Sequence, residues 1–588
     1  MAEPQELDPV LADLAGRLEA AMEAADLPQA DPGFERPRQP EHGDWASTVA
    51  LRLAKPAQRA PRDIAQLLVD HLDLPDAVSE VEIAGPGFIN FRFSHTYFED
   101  LVRRVVREAD RYGTREKDGD REHVNIEFVS ANPTGPLHVG AGRWAATGDA
   151  IAALLEAEGH SVHREYYLND AGEQIRRFGE SVVLAHRGED LTDDHYQGEY
   201  VAEIAAELSQ QHGKQLFEPQ DGDDQLAAAA AGVQHTGGLL DGGEGDDEPA
   251  STGDPRVHPG VAARIGDLAV RAMRDHIAAT LRSMGVEYDV WFSEKSLHDT
   301  GAIQDAIDDL AQRGHTYEAD GAVFLATSEF GDDKDRVLVR SDGRPTYFAA
   351  DCAYVRDKWS RGYDRLIYLL GADHHGYVAR LRAAAEATGI ASDRLEIVIG
   401  QMVNLLRGGE PVRMSKRAGT FVTLEEVLEE VGGDVTRYHF LRQGLDTTID
   451  FDLETVVEQS MENPVYYVQY AHARINSLVR TADDRGFEHG RLDDADLSRL
   501  EHPAELDLLR AMSALPEVVA DAAELRATQR VTRYAEDLAA TFHRFYTECR
   551  VLVDDEALAR ARYWLAVAAR QVLANTLGFL RVSAPERM

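Results

Sequence analysis

The feature that most constrains the fold is a change of pattern at residue 124. From there the sequence predicts a strand, a helix that ends at Gly159 and a second strand, at residues 124–129, 141–158 and 163–168. A strand, a helix and a strand in this order form a βαβ unit, whose strands run parallel. The pattern recurs at residues 366–370 and 378–388, with the loop GADHHG between strand and helix. The sequence therefore predicts an α/β fold built on a parallel sheet.

Composition excludes several classes of protein. Hydrophobic residues make up 44% and charged residues 28% of the 588, a globular profile that neither disordered nor collagen-like chains have. Charges break every apolar run before the ~18–20 residues of a membrane span. The N-terminus lacks the basic and then apolar pattern of a signal peptide. Two cysteines, Cys352 and Cys549, are too few for a disulfide scaffold or a cysteine-based zinc site. We therefore expect a cytoplasmic protein without membrane contact.

The charge balance bears on the salt concentration in which the protein folds. Asp and Glu number 104 against 61 Lys and Arg, which gives a formal net charge of −43, and only seven of the basic residues are lysines. Such an excess repels itself in dilute buffer, whereas at molar salt the Debye length is about 3 Å and the repulsion is screened. Acidic excess with scarce lysine predicts a salt-loving organism, and an ordinary acidic protein is the alternative. The acidic surface argues against a general nucleic-acid-binding protein, but it leaves room for local basic grooves.

Two flanking regions and one insertion complete the organisation. Up to about residue 110 the pattern predicts a small α+β domain with a helix at residues 8–25. Paired strands at residues 81–83 and 88–93 surround the turn Gly85-Pro86-Gly87. After residue 461, long Ala/Leu/Val/Arg stretches predict an α-helical bundle. Residues 213–255 are dense in Gly and Asp and predict a flexible acidic insertion.

The loop of residues 130–143 (SANPTGPLHVGAGR) joins the first strand of the βαβ unit to its helix. Ligands of open α/β sheets bind beyond the carboxyl ends of the strands, where this loop lies. Its prolines stiffen the backbone, and the N-terminus of the helix offers N–H groups and a partial positive charge to a phosphate. His138 can donate to a phosphate oxygen. The alternative is that an isolated loop histidine is an exposed residue without a functional role. The spacing matches neither a Walker A loop nor a GxGxxG fingerprint.

A second loop, residues 412–420 (VRMSKRAGT), is basic in an acidic chain. It follows the strand-like residues 396–406 and precedes a helix with a predicted capping box from Thr423 to Glu426. Its cations are Arg413, Lys416 and Arg417. A mobile loop of this kind can close on a triphosphate and stabilise charge that develops on pyrophosphate. The alternative is a solvated basic turn.

A third group of residues surrounds the recurring strand. Tyr347 and Asp351 lie four positions apart, so on a helix they share one face. A carboxylate beside an aromatic ring suits a planar guanidinium, although an ordinary amphipathic helix is the alternative. Three further polar residues follow the strand at the same sheet edge as the first loop: Asp373, His374 and His375. These could bind a metal, but no further ligand cluster is evident in the sequence.

The motifs resemble those of the arginyl-tRNA synthetases. HVGA at residues 138–141 is similar to the HIGH signature of class I aminoacyl-tRNA synthetases, and IEFVSANPTGPLHVG around it resembles the arginyl version. RMSKR at residues 413–417 resembles the KMSKS signature, degenerate at its first and last positions as is common in this family. GPGFINFRF at 85–93 resembles the domain that contacts the tRNA D-loop, and NPVYYVQYAHAR at 463–474 resembles the start of a DALR-type anticodon-binding domain. One departure is Ala141, which replaces the last histidine of HIGH.

The resemblance implies a Rossmann-like parallel-sheet catalytic domain between an N-terminal α+β domain and a C-terminal α-helical bundle domain. The implied bounds of the D-loop-contacting, catalytic and anticodon-binding domains are residues 1–112, 120–460 and 461–588. The implied function is ATP-dependent ligation of L-arginine to the 3′-terminal adenosine of tRNA(Arg). ATP would be a substrate and Mg²⁺ would accompany it, without a metal site of the protein. Together with the charge balance and the cysteine count, the resemblance indicates a cytoplasmic enzyme of haloarchaeal type, and we expect a monomer.

The resemblance also implies roles for individual residues. Catalytic roles fall to His138 and Lys416, which would stabilise the phosphates. The residues that would bind arginine are Glu127, Asn132, Tyr347, Asp351, Asp373 and His374. The residues that would bind ATP are Gly135, His138, Gly140, Ala141, Met414, Ser415 and Lys416. Two other functions stay open: another enzyme on this fold, either a different class I synthetase or a small-molecule nucleotidylyltransferase, and a tRNA-binding paralogue without catalysis.

Overall fold

The computed structural model describes residues 4–37, 39–116, 121–232, 253–412 and 422–588. The chain forms two compact units. The flanking unit combines Met1–Glu116 with Gln459–Met588, and the central unit spans Lys117–Glu458. Among the described helices, none is both long and apolar enough to cross a membrane.

The N-terminal part of the flanking unit is an antiparallel sheet with helices. Its strands are β1 (Phe34–Glu35), β2 (Trp45–Ser47), β3 (Val78–Ala84) and β4 (Phe88–Phe93), in the order β1-β2-β4-β3. Its helices are α1 (Pro4–Leu7), α2 (Pro9–Ala24), α3 (Val49–Leu53), α4 (Pro61–His71) and α5 (His95–Glu108). The predicted first helix is α2, and Asp8 caps it by accepting a hydrogen bond from Val10 N at 2.9 Å. The predicted hairpin is β3–β4, with φ of +53° at Gly85 and +142° at Gly87.

The central unit alternates strands and helices. Its strands are β5 (His123–Glu127), β6 (Ser161–Leu168), β7 (Val290–Ser293), β8 (Thr316–Ala319), β9 (Ala322–Leu325), β10 (Arg336–Val339), β11 (Arg365–Gly371), β12 (Leu395–Gly400), β13 (Val403–Arg407), β14 (Glu410–Pro411) and β15 (Ile449–Asp452). Its helices are α6 (Val139–Ala157), α7 (Glu173–Arg187), α8 (Glu199–His212), α9 (Asp223–Gly232), α10 (Pro259–Ser283), α11 (Glu294–Asp299), α12 (Ala302–Gln312), α13 (Tyr347–Ser360), α14 (Val378–Ala387), α15 (Leu424–Val431), α16 (Gly433–Leu441) and α17 (Leu453–Val456).

The main sheet of the central unit has five parallel strands in the order β12-β11-β5-β6-β7. From β5 the chain moves outward to β6 and β7, and it then returns to the other side of β5 to form β11 and β12. The strand order therefore reverses between β5 and β11, and ligands bind at such a switch point. In register, Glu127 of β5 pairs with Glu165 of β6 and with Tyr368 of β11. The predicted βαβ unit and the parallel sheet are confirmed.

The predicted single strand at residues 396–406 is wrong. It is two strands in different sheets: β12 in the main sheet, and β13 in a small sheet with β14 and β15. Gly400 lies so close to the Trp144 ring that a Cβ there would be 2.1 Å from it. Gln401 N then donates to Leu445 O at 2.8 Å, which draws the backbone away from the main sheet. The strands separate at this close approach, which the sequence pattern does not reveal.

The prediction of a flexible insertion at residues 213–255 is wrong for its first part. Lys214–Phe217 forms a 3₁₀ turn and α9 follows it. Phe217 is buried and stacks on the His186 ring, with centroids 3.7 Å apart. Asp223 is buried and accepts hydrogen bonds from Arg264 Nε and Nη2, both at 3.0 Å. Single anchors of this kind leave no periodic signal in a Gly- and Asp-rich sequence. Residues 233–252 lie outside the described part of the chain.

The C-terminal part of the flanking unit is helical, as predicted. Its helices are α18 (Pro464–Asp484), α19 (Pro503–Ser513), α20 (Leu515–Leu525), α21 (Thr528–Glu548) and α22 (Glu556–Phe579). This bundle joins the N-terminal part through buried and partly buried polar contacts, including Arg510 Nε to Asp44 Oδ1 at 2.7 Å and Tyr112 OH to Met512 O at 3.0 Å. The two ends of the chain therefore form one body.

Candidate active site

The candidate site lies at the carboxyl edge of β5, β6 and β11. Residues 130–138, here called the signature loop, follow β5, and His138 immediately precedes α6. The His138 imidazole folds over Gly140, where a Cβ would lie 2.9 Å from His138 Cε1. A larger residue at position 140 would therefore displace the His138 ring. Ala141 is buried in the first turn of α6, and Gly135 lies beside the Tyr200 hydroxyl.

The predicted basic loop begins and ends in the same part of the central unit. Before it, Val412 N donates to Leu405 O at 2.9 Å. After it, Thr423 forms an antiparallel bridge with His138, and Leu424 N donates to Leu137 O at 2.7 Å. The predicted capping box from Thr423 to Glu426 is confirmed. Five residues singled out in the sequence lie outside the described residues: Arg413, Met414, Ser415, Lys416 and Arg417. The chain thus returns from this loop directly beside His138.

Helix α13 presents a polar stripe to the same edge. It begins at Tyr347, and Asp351 follows one turn later, as the spacing predicts. Asp351 is 3% exposed, and its Oδ2 accepts a hydrogen bond from the Tyr377 hydroxyl. Tyr377 ends the 3₁₀ turn Ala372–Tyr377 that follows β11. Tyr354 and Lys358 extend the stripe along the same face of α13, towards the C-terminus of the helix.

Glu127 is already bound by side chains of the protein. Its Oε2 accepts from Lys358 Nζ at 2.5 Å, and its Oε1 accepts from Ser130 Oγ at 3.1 Å. The Tyr354 hydroxyl lies between two carboxylates, 2.8 Å from Glu127 Oε2 and 2.7 Å from Glu165 Oε1. Glu127 therefore anchors neighbouring elements, and its contact with arginine stays a prediction.

Glu165 completes this buried network. Arg361 binds its carboxylate bidentately, at 2.7 and 2.9 Å. Burial opposes ionisation, but the charges of Lys358 and Arg361 outweigh it and lower the pKa of Glu165. Two carboxylates thus face two cations beneath the site, and their charges balance.

Sequence reasoning missed Glu294, the first residue of α11 after β7. Glu294 is 0% exposed, and among the described residues neither of its carboxylate oxygens has a hydrogen-bond partner. His298 Nε2 lies 3.9 Å from its Oε1. Burial raises the pKa of Glu294. His298 and the Tyr167 hydroxyl lie near this carboxylate and only partly offset the effect of burial. A buried carboxylate with so little compensation is costly, which is typical of a position that receives a cation from a ligand. In sequence it resembles any acidic residue in a first helical turn, so the pattern offers no signal.

The other predicted residues lie along the same edge. Asn132 is half-buried in the signature loop. Asp373 is exposed and lies 3.6 Å from His374 Nε2, while His374 Nδ1 is buried without a hydrogen-bond partner in the described chain. Asn169, a further residue missed from sequence, is buried just past the end of β6, and neither atom of its amide has a partner among the described residues. The described residues contain no group of three His, Cys, Asp or Glu that could hold a metal ion.

Three family models match the chain. The arginyl tRNA synthetase N terminal domain matches residues 12–93, and the DALR anticodon binding domain matches residues 468–588. The tRNA synthetases class I (R), catalytic domain, matches residues 102–207 and 264–477. This catalytic match leaves out residues 208–263, the stretch that contains α9.

Known proteins agree with these matches. An arginine–tRNA ligase from Frankia alni is 49% identical over 560 residues, which cover 94% of this chain and 94% of that protein. The solved structure of a Campylobacter jejuni protein assigned as an arginyl-tRNA synthetase is 33% identical, with a TM-score of 0.72 over 84% of this chain and 100% of its own. The arginyl-tRNA synthetase of Thermus thermophilus shares the fold at 24% identity, with a TM-score of 0.72 over 98% of this chain and 100% of its own. Close likeness over almost the full length, together with the three ordered family matches, shows that this chain belongs to the arginyl-tRNA synthetases.

Proposed function

We propose that this protein attaches L-arginine to the 3′-terminal adenosine of tRNA(Arg) in two steps. An oxygen of the arginine carboxylate attacks the α-phosphorus of ATP, which forms arginyl-adenylate and releases pyrophosphate. The 2′-hydroxyl of the terminal adenosine then attacks the arginyl carbonyl carbon, and AMP leaves. Both steps depend on placing reactants and balancing developing charge. We expect activation to require bound tRNA.

The observation that carries this proposal is the pair of buried carboxylates at the sheet edge. Glu294 has two unpartnered oxygens in the described structure, and Asp351 is buried one helical turn from Tyr347. A guanidinium is planar, always charged and has five donors, so it can satisfy carboxylates on more than one side. We assign Glu294 and Asp351 to the guanidinium, with the Tyr347 ring beside it. A neutral or anionic side chain would leave these carboxylates without compensation.

The remaining predicted arginine ligands would contact the backbone end of the substrate. Asn132, Asp373 and His374 lie on the two loops that follow β5 and β11, on either side of the switch point. Their amide, carboxylate and imidazole groups suit the ammonium and carboxylate of an amino acid. We assign Glu127 to hold this edge together through Lys358 and Ser130, and its predicted contact with arginine would be additional.

ATP would bind at the N-terminus of α6. This helix has 19 residues, and its free N–H groups and partial positive charge favour phosphate. Gly135, Gly140 and Ala141 would let the backbone approach ATP, while His138 would donate to a phosphate oxygen. Lys416, with Met414 and Ser415, would close on the pyrophosphate, an assignment supported by the bridge between Thr423 and His138. Mg²⁺ would arrive with ATP and use phosphate oxygens and water, because the described residues offer no three-ligand group.

The flanking unit would bind the tRNA. On its helical part Tyr470 is 36% exposed, and the Arg474 guanidinium lies 5.5 Å from the Tyr470 ring centroid and 4.3 Å from that of Tyr546. Exposed aromatic rings and arginine planes are surfaces on which unpaired bases stack. We assign this face to the anticodon loop and the N-terminal α+β part to the D-loop. The domain bounds of residues 1–112, 120–460 and 461–588 belong to this proposal.

We further propose a cytoplasmic, monomeric enzyme from a salt-loving archaeon. The support is the net charge of −43 and the seven lysines among 588 residues. Concentrated salt screens the repulsion between the acidic side chains. The same screening weakens long-range attraction to tRNA phosphates, so recognition would depend on stacking and short-range contacts.

Steady-state charging tests the arginine site. Glu294→Gln and Asp351→Asn keep the side-chain shapes and remove one charge each. Each should raise the KM for arginine at least tenfold with a much smaller change in the KM for ATP, since losing one partner of a buried charged pair costs ~2–5 kcal/mol. Glu556→Gln, which changes an exposed first-turn glutamate of α22, is the matched control and should leave both constants unchanged. Unchanged arginine constants in both site variants would place the guanidinium elsewhere.

A further inference from the structure

A strained turn joins β5 to the signature loop. Val129 and Ser130 have φ of +70° and +43°, and both are non-glycine residues. Ser130 N donates to Phe128 O at 3.0 Å, which closes a three-residue γ-turn centred on Val129. A β-branched residue with positive φ is a conformational outlier, because its side chain crowds the backbone. Such strain persists only where the surrounding structure imposes it.

The Ser130 side chain fastens this turn to two strands. Its buried Oγ donates to Glu127 Oε1 at 3.1 Å and accepts from the backbone N of Tyr167 at 3.0 Å. Glu127 is in turn held by the buried ammonium of Lys358, at 2.5 Å. The turn is therefore tied to β5, β6 and α13 at once.

Three tyrosine hydroxyls hold the backbone that flanks and follows the turn. Tyr288 OH donates to Phe128 O at 3.0 Å, Tyr166 OH to Ala131 O at 2.8 Å, and Tyr200 OH to Thr134 O at 3.0 Å. Every third carbonyl from Phe128 to Thr134 thus accepts from a tyrosine. The tyrosines come from three elements: β6, α8 and the segment between α10 and β7. Tyr288 also packs on the Phe128 and Tyr166 rings, with centroids 4.7 and 5.3 Å away.

We propose that the strained turn and its four hydroxyl groups preorganise the signature loop for the reaction. In this inference, which rests on the proposed function, Ser130, Tyr166, Tyr200 and Tyr288 are positioning residues that act through the backbone of the loop. None of them needs to touch a reacting atom. Activation depends on holding arginine and ATP in one geometry, and a displacement of ~1 Å can cost about 10²-fold in rate. A loop that must be ordered at each turnover would lose that advantage.

Variants at Val129 separate backbone restriction from side-chain packing. Val129→Ala removes most of the side chain but keeps a Cβ, whereas Val129→Gly also frees the backbone. We expect Val129→Gly to lower kcat for tRNA-dependent ATP–pyrophosphate exchange at least tenfold without lowering Tm, and Val129→Ala to stay within about threefold. Asp320→Gly, which relieves a φ of +52° in the turn between β8 and β9, is the matched control and should keep normal kcat. Equal losses in the Val129 variants, or no loss in either, would overturn the proposal.

Tyrosine variants test the hydroxyl groups themselves. The double variant Tyr166→Phe and Tyr200→Phe removes two hydroxyls that donate to loop carbonyls and keeps both rings. The control Tyr534→Phe removes a hydroxyl that donates to Ala511 O at 3.0 Å in the helical bundle. We expect the double variant to lower kcat about tenfold or more while Tyr534→Phe keeps it. A normal kcat in the double variant would contradict a positioning role.

Hydrogen–deuterium exchange tests the loop without any assay of activity. Peptides covering residues 128–138 should exchange faster in Val129→Gly and in the tyrosine double variant than in the unmodified protein or Val129→Ala. Unchanged protection would overturn the preorganisation proposal even if the rates change. The variants could exchange faster even if the unmodified protein charges no tRNA. That result would support the preorganised loop and overturn the proposed function, so the two failures are distinguishable.

Discussion

Glu294 lowers the stability of the free protein but suits the binding of a cation. It is fully buried, and its two carboxylate oxygens make no hydrogen bond within the described residues. The nearby His298 and Tyr167 compensate its burial only in part, so Glu294 destabilises the free protein when it is ionised. The same two oxygens are what a guanidinium requires. We propose that the stability lost at Glu294 is a source of specificity for arginine.

Replacing Glu294 should therefore stabilise the protein while it weakens arginine binding. The folded protein has a raised pKa at Glu294, so the buried group costs stability above the ordinary glutamate pKa of ~4.3, and the cost grows until the pH passes the raised value. Glu294→Gln should gain ~1–3 kcal/mol in the free energy of unfolding at neutral pH, and the gain should vanish below pH ~4. Denaturant unfolding from acid to neutral pH measures this. A loss of stability at neutral pH would mean that Glu294 has partners in the free enzyme.

At the scale of elements, a network of four charges connects β5, β6 and α13, and all but Arg361 are buried. Lys358 pairs with Glu127, Arg361 pairs with Glu165, and the Tyr354 hydroxyl lies between the carboxylates. Removing one partner of a buried pair leaves an uncompensated charge, whereas removing both charges can be nearly neutral.

Lys358→Met should therefore cost ~3–5 kcal/mol in the free energy of unfolding. Adding Glu127→Gln to Lys358→Met should recover most of that loss, because the double variant buries no unpaired charge. Chemical denaturation of the two single variants and the double variant forms a double-mutant cycle. If the losses in the free energy of unfolding were additive, Lys358 and Glu127 would not be energetically coupled.

Because α9 is anchored to the central unit, the two parts of residues 213–255 should contribute differently to thermal stability. Replacing residues 233–252 with a short Gly/Ser linker should leave Tm and charging unchanged. Replacing 213–255 as a whole should lower Tm, because it removes buried Phe217 and deprives Arg264 of the Asp223 carboxylate. Thermal denaturation of the two proteins tests this, and equal Tm values would contradict the anchoring.

Sequence patterns predicted the elements whose signal is periodic or local. The parallel sheet, α6, the α13 stripe with Tyr347 and Asp351, and the hairpin β3–β4 all follow from spacing or turn residues. The separation of β12 from β13 was missed because it depends on Gly400 meeting a distant tryptophan. Glu294 and Asn169 were missed because burial without a partner is a property of three-dimensional packing, and neither residue belongs to a motif. Family resemblance supplied the site residues that the patterns alone left open.

At the scale of the whole molecule, we expect the net charge to determine the salt concentration at which the fold is stable. The formal net charge of −43 is spread over 588 residues, and few lysines accompany the arginines. Many arginines pair with carboxylates, including Arg36 with Glu517 at 2.6 Å inside the flanking unit. Such pairs compensate only part of the acidic excess.

Thermal stability should consequently rise steeply with salt. Circular dichroism at increasing KCl should show a Tm that climbs toward molar concentrations, where the Debye length is about 3 Å, and loss of cooperative unfolding in dilute buffer. Sucrose at matched osmolarity is the control for a general effect of excluded solutes. A Tm independent of KCl would contradict adaptation to salt.

We propose that the site at the sheet edge selects arginine, which this protein esterifies to tRNA. Charging of total tRNA with each amino acid in turn, at high KCl with ATP and Mg²⁺, tests this most directly. We expect that arginine alone is attached, that omitting ATP abolishes the product, and that Lys416→Ala lowers the rate by roughly 10²-fold or more. Attachment of a different amino acid, or tRNA binding without charging of any amino acid, would contradict it.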